Sequence, residues 1–299
     1  MLGLEVRDRG VVAVSVAGDG RVLGRDERAV GGEGLAEAAL AALGAASVGT
    51  SAGDVASSVG VALVNPDVPA AELFRAVAAR YAGWRTSDGP IPSGAGAAVA
   101  EAWIGAARGT RDSVYFSVAD HATAGIVRDG LPWLGAGRHA ASIAWLALNP
   151  VEREDYRKTG CLEAEVASAG IVRRLIWRIK AGDRSRVAEE VGGDFHAITV
   201  DHVLDGARQG DGVSISVVRD TAKYIGMAAA NLVAVTDPEL LVLGGILASA
   251  ADVLLEPVRG ELARRLPKTM MDALRVETAQ LGGDAPAIGA ARLASVPPG

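Results

Sequence analysis

Apolar positions alternate with polar ones at the start of the chain, then fall into a helical period, and the two patterns replace each other several times. The stretches 11–18 (VVAVSVAG) and 19–30 (DGRVLGRDERAV) predict two strands joined by an Asp-Gly turn. Residues 34–46 (GLAEAALAALGAA) carry helical spacing and precede an apolar strand at 58–64. Residues 70–84 predict an amphipathic helix opened by Pro69. A helix over 96–109 closed by glycine leads into a strand at 112–119, then a hairpin with an Asp-Gly turn over 124–135. Further helices are predicted over 162–182 and 214–236. Residues 237–266 read as a buried strand, a turn of two glycines and a long amphipathic helix, and 285–296 as a small-residue helix. Each half therefore opens on a hairpin and continues into helices, the pattern of a duplicated α/β unit without a residue-level repeat.

Composition narrows the class. The chain has 299 residues, 49% of them hydrophobic and 22% charged, enough for two domains with cores that need no staples. The formal charge of -6 comes with no compensating basic cluster, which argues against a nucleic-acid surface. A single cysteine, Cys161, forms no internal disulfide and supplies no Cys-rich metal site, so a cytoplasmic location is expected. The N-terminus places Glu5, Arg7, Asp8 and Arg9 where a signal peptide needs an apolar core. No run of about 18 apolar residues is present, so no membrane span is expected.

Taken in order, AVAEAWIGAARGTRDSVYFSV, GIVRDGLPWLGAG, GCLEAEVAS, DPELLVLGGIL and APAIGAARLA resemble the ROK family of bacterial sugar kinases and sugar-responsive repressors, within the actin-like ATPase superfamily. The resemblance covers nearly the whole chain. It implies an α/β fold of two ribonuclease H-like lobes around a central cleft: a small N-terminal lobe of residues 1–102 plus 284–299 and a large C-terminal lobe of residues 103–283. Kinases of the family phosphorylate a hexose with ATP and magnesium.

The same resemblance locates the positions where chemistry is expected, and there the chain departs from the family. The phosphate-facing turn Asp-x-Gly-Gly-Thr falls on Glu5-Val6-Arg7-Asp8-Arg9. Glycines that let backbone approach phosphate have become charged side chains, and Asp8 would repel an anion by about 1–4 kcal/mol near a surface. The family's catalytic aspartate falls on Ser93, with Pro92 and Ala95 in place of its flanking asparagines. Loss of a general base lowers rates by ~10²–10⁴-fold. The second, glycine-rich phosphate loop falls on residues 119–125, where Gly125 remains and Asp120 and His121 intrude.

Among sugar-site positions, Ser142 and Trp145 replace a glutamate and a histidine, and Glu163 is retained. Glu163 also suits the first turn of a helix beginning at Leu162. Asn65 is a candidate remnant of a sugar-contacting loop, while Gly244 and Gly245 match a turn beside adenosine that tight packing would equally require. The family's zinc-binding Cys-x-Cys-x₄-Cys becomes Glu154, Tyr156 and Cys161. That set does not make a tetrahedral site, so no zinc is expected and Cys161 reads as a small apolar residue under a helix start.

Three readings stay open. The chain is a catalytically degenerate homologue that binds a small molecule in the interlobe cleft or a protein partner, with no cofactor. Alternatively it is the effector domain of a repressor lacking its helix-turn-helix. Alternatively it is an enzyme: a hexose or aminosugar kinase with diverged motifs using ATP and magnesium, or a fold reused for other chemistry through Asp120, His121, Arg138, His139 and Glu163. A homodimer is expected by analogy with the family.

Overall fold

The computed structural model describes residues 1–32, 34–48, 57–87 and 89–296. They divide into two compact units, one of Met1–Tyr115, Ala124–Ala141 and Ala279–Gly299, the other of Phe116–Thr123 and Ser142–Thr278.

Strands β1 (Leu2–Val6), β2 (Gly10–Val16) and β3 (Val22–Ala29) form an antiparallel meander, with β2 and β3 joined, as expected, through Asp19-Gly20. β3 is the sheet edge. Its Arg25, Asp26, Glu27 and Arg28 pair among themselves and with Asp284, a charged border that discourages pairing with another strand. Helix α1 (Leu35–Ala46) returns the chain to β4 (Ser58–Leu63), which pairs parallel with β1. Then come α2 (Ala71–Arg80), the two-residue strands β5 (Arg85–Thr86) and β6 (Ile91–Pro92), and α3 (Ser93–Ile104). The sheet runs β3-β2-β1-β4-β5, with β6 also on β4.

The third helix begins three residues earlier than its spacing predicts and ends at Gly105 rather than Gly109. Its end is set by Glu101, a fully buried carboxylate. One oxygen accepts the Ala106 N–H, and the other accepts the N–H groups of Gln280 and Leu281. Those tertiary hydrogen bonds turn the chain out of the helix before its apolar pattern runs out.

The second sheet, ordered β11-β10-β7-β8-β9, begins with β7 (Ser113–Val118), β8 (Ala122–Arg128) and β9 (Leu131–Pro132). Asp129 and Gly130, both at positive φ, make the β8–β9 hairpin turn. Helices α4 (Glu154–Thr159), α5 (Cys161–Val166), α6 (Ser168–Lys180), α7 (Arg186–Glu190), α8 (Val200–Arg208) and α9 (Gly212–Thr236) follow. The stretch predicted as one helix over 162–182 is two, broken at extended Ala167. Ser168 donates its N–H to Ala119 O at 2.9 Å, so a loop of the sheet takes the donor that a continuous helix would use.

Asp211 caps α9 by accepting the Ser214 N–H at 2.8 Å and also takes the Arg186 N–H at the start of α7. Burial acts to raise its carboxyl pKa, but these hydrogen bonds outweigh it and hold the group below the usual aspartate value. β10 (Leu240–Gly245), α10 (Ile246–Ser249), α11 (Ala251–Arg265), α12 (Lys268–Ala273) and β11 (Arg275–Thr278) complete the second unit. Last, α13 (Ala285–Ser295) lies on β1 and β4 and against α3 through buried Ala287, Ile288, Ala290 and Ala291.

Candidate functional site

The candidate residues fall on the ends of strands and helices, and each can be followed from its local backbone. The β1–β2 turn closes with Arg7 N–H donating to Gly10 O at 2.8 Å. Glu5, on β1, is only 3% exposed. Burial pushes its carboxyl above the ordinary glutamate value, and Arg7 only partly opposes the rise. All three guanidinium nitrogens of Arg7 are engaged within the same unit. Nε donates to Glu5 Oε2 at 2.8 Å, Nη1 to Glu27 Oε1 at 3.3 Å, and Nη2 to Gly283 O at 2.7 Å. The Arg7 cation is thus held by its own chain.

Ser93 is the first residue of α3, behind Pro92 in extended conformation. It is 3% exposed, and its hydroxyl makes no hydrogen bond of good geometry, although it lies near enough to Glu5 to help hold that charge. The next residue, Gly94, crosses the backbone of β8 so closely that a Cβ there would strike Ala124 O, and a Cβ at Gly125 would strike Gly94 O. Packing alone therefore requires Gly125. The same holds for Gly245, whose φ is 62° and whose added Cβ would strike Val118 O; Gly244 is the buried strand residue before it.

In the bend between β7 and β8, Asp120 is exposed and His121 is half-buried. His121 Nδ1 lies 3.2 Å from Glu163 Oε1, and Glu163 Oε2 accepts the Ala122 N–H at 2.9 Å. Glu163 stands in the first turn of α5. The helix starts one residue before the expected Leu162, and the carboxylate reaches across to the loop besides favouring the helix dipole. Of the five groups weighed for new chemistry, His121 and Glu163 are bonded to each other. Asp120 is exposed, and Arg138 and His139 belong to the other unit.

Ser142 and Trp145 flank a short 3-10 turn anchored by buried Ile143. The Trp145 residue is 58% exposed, so its ring is not packed into a core. Asn65 spends its side-chain oxygen locally, accepting the Asp67 N–H at 2.9 Å in an Asx turn.

The positions matching zinc ligands do not fit a metal. Glu154 pairs with Lys158 in solvent, and Cys161 is buried beside Tyr156 and Ala164. Tyr156 Oη donates to Glu165 Oε1 at 2.5 Å, and burial together with that carboxylate raises the phenol pKa. Sequence reasoning missed Glu165. This carboxylate, 5% exposed, also accepts Arg153 Nη1 at 2.9 Å and Arg174 Nη2 at 2.5 Å. Arg174 continues to Thr221 on α9, and Arg153 stacks over Tyr156 and Trp177. The available signal was a glutamate and paired arginines inside an apolar helical stretch, a composition that needs internal partners. Among the described residues no group of three His, Cys, Asp or Glu could hold a metal ion, and no helix is long and apolar enough to cross a membrane.

A groove of about 600 Å³ runs between α1 and α2, lined by Leu35, Leu40, Pro69, Glu72 and Arg80 among others. It contains none of the residues singled out from the sequence.

The model of the ROK family matches residues 94–296. The chain belongs to the ROK family. A glucokinase of Halalkalibacterium halodurans is 32% identical over 197 residues, 64% of this chain and 59% of that protein. The N-acetylglucosamine repressor of Escherichia coli O157:H7 is 27% identical over 185 residues, 62% of this chain and 44% of the repressor. The chain spans about six tenths of the length of the curated glucokinases it matches, 59% of one and 61% of another. The crystal structure of a ROK family glucokinase from Streptomyces griseus, in complex with glucose and AMPPNP, superposes with a TM-score of 0.82 at 25% identity over 98% of each chain. The fold is accordingly the mixed α/β, two-sheet architecture of ROK sugar kinases, the actin-like ATPase fold.

Proposed function

We propose that this ROK member works by binding rather than by phosphoryl transfer, as a catalytically degenerate and regulatory homologue of the sugar kinases. The observation that carries this reading is the closure of the β1–β2 turn on itself. Arg7 is engaged by Glu5, Glu27 and Gly283, in a turn where transfer would need donors directed at phosphate. Ser93 stands at the expected base position with no useful pKa for taking a hydroxyl proton. The glycines kept at Gly125 and Gly245 are accounted for by backbone contact. The ligand would be a small hydroxylated molecule, and a homodimer would be the assembled form.

A second reading, a sugar kinase with diverged motifs, is favoured by full-length likeness to the Streptomyces griseus protein, whose complex holds glucose and AMPPNP. On that reading Glu5 and Glu163 would be the surviving carboxylates, and ATP with magnesium the phosphoryl donor. A coupled assay of ADP release across hexoses and aminosugars separates the two. The expected result is no turnover above background and no thermal shift with ATP-magnesium. A ligand at a hundred times its dissociation constant stabilises by about 2.7 kcal/mol, so binding without turnover would still register. Sugar-dependent ADP release that Glu5→Gln abolishes would overturn the binding-only reading.

A further inference from the structure

We propose that the outward face of α6 docks an acidic segment of a partner protein, with an apolar side chain of that segment on Trp177 and its carboxylates on Arg173, Lys180 and Arg184. The inference does not depend on whether the chain transfers phosphate.

Ala169, Arg173, Ile176, Trp177 and Lys180 share one side of α6 at helical spacing, while Ile171 and Leu175 on the other side are buried. Trp177 is 52% exposed. A lone exposed indole is ordinary on a protein surface, but this one is held in place. The guanidinium groups of Arg153 and Arg173 lie 5.4 and 5.3 Å from its ring centre, within cation–π reach. Each is itself fixed. Arg153 donates to Asp155 and Glu165, and Arg173 Nη2 donates to Ala164 O at 2.6 Å. Further along the face, Lys180 Nζ lies 6.0 Å from the ring centre of Phe195, in the short turn before α8. A ring already fixed loses little rotamer freedom when a partner covers it. Tryptophan and arginine are also the side chains that most often dominate the energy of an interface.

Charge decides the occupant. Residues 173–186 carry six cations, Arg173, Arg174, Arg178, Lys180, Arg184 and Arg186, against one carboxylate, Asp183. This local excess is concealed by the chain's total of -6. The fold turns part of it inward: Arg174 meets Glu165, and Arg178 meets Asp183 and Ser216. Lys180, Arg184 and Arg186 are exposed, and among the described residues no carboxylate pairs with them. Such a face attracts carboxylates and sets the register of a charged partner. A nucleic acid fits it less well, because a phosphate backbone is held by many cations at once and the acidic chain as a whole repels a polyanion. Trp177 and half-buried Ile176 add apolar area that a phosphate backbone leaves unused. An acidic segment with one apolar side chain matches both parts of the face.

The test is fluorescence polarisation of the protein with a labelled glutamate-rich peptide carrying one central leucine. Its lysine-for-glutamate counterpart and a labelled single-stranded oligonucleotide are run beside it. The expected result is saturable binding of the acidic peptide alone, weakened by added salt and about tenfold by Trp177→Ala and by Lys180→Glu. Lys180 is exposed, so Lys180→Glu keeps the test decisive should Trp177→Ala fail to fold. Absence of saturable binding by the acidic peptide overturns the proposal, as does binding that both substitutions leave unchanged. Tighter binding of the oligonucleotide assigns the face to nucleic acid and overturns it too. Sedimentation of the parent beside Trp177→Ala covers the remaining occupant. A dimer that the substitution dissociates gives the face to a second copy of the chain, and the proposal fails.

Discussion

Glu5 shows how burial changes what one carboxylate can do. This carboxylate on the first strand is buried and faces Arg7 on the turn that follows. Because the folded pKa lies above the unfolded value of 4.5, the fold disfavours the charged form. Below pH 4.5 both states are protonated and there is no penalty. As pH rises through 4.5 the unfolded chain ionises first and stability falls until the folded carboxyl also titrates. Glu5→Gln should therefore be more stable than the parent at neutral pH, with the advantage vanishing as pH drops toward 4. Urea unfolding at a series of pH values reads this directly, and a pH-independent difference would refute the assigned burial. Ser93 and Gly94 make a related point: Ser93 opens a helix whose second residue must be glycine to cross β8.

At the scale of elements, the cluster on Glu165 holds α4, α5 and α6 together and reaches α9 through Arg174 and Thr221. Removing one partner of a buried charged pair leaves the others uncompensated, at about 3–5 kcal/mol. Glu165→Ala should lower stability by that order, while prolonged treatment with EDTA leaves the melting temperature unchanged. A chelator-sensitive melt would mean that a metal, rather than these side chains, holds the segment. The split between α5 and α6 belongs to the same scale, since the Ser168 N–H serves the sheet loop instead of the helix.

For the whole molecule, the first unit is completed by the far end of the sequence. α13 supplies buried Ala287, Ile288, Ala290 and Ala291 against β1, β4 and α3, and Glu101 clasps the chain at Gln280 and Leu281. A chain ending at residue 284 should leave β1 and β4 without their covering helix. Hydrogen exchange in 2–16 and 58–63 would rise to near-unfolded rates, while α9 in the other unit keeps its protection. Retained protection in β1 would show that the sheet stands without its last helix. The same connection between distant segments predicts slow refolding, because loop closure precedes the reward of contact.

The alternation of strands and helices, the Asp-Gly turns and the kinship to ROK proteins were readable from residue pattern, because periodicity and side-chain type are local properties. Where helices stop was not, since Glu101 and Ser168 act through partners distant in sequence. Nor could the pattern show that Glu163 meets His121, that Arg7 is engaged three times over, or that Tyr156 and Glu165 occupy the segment expected to lack zinc. A buried polar group takes whichever partner the tertiary fold brings within hydrogen-bond reach, and neighbours along the chain do not specify that partner. The side chains present were determined by the sequence, and which of them satisfy one another was decided only by the folded structure.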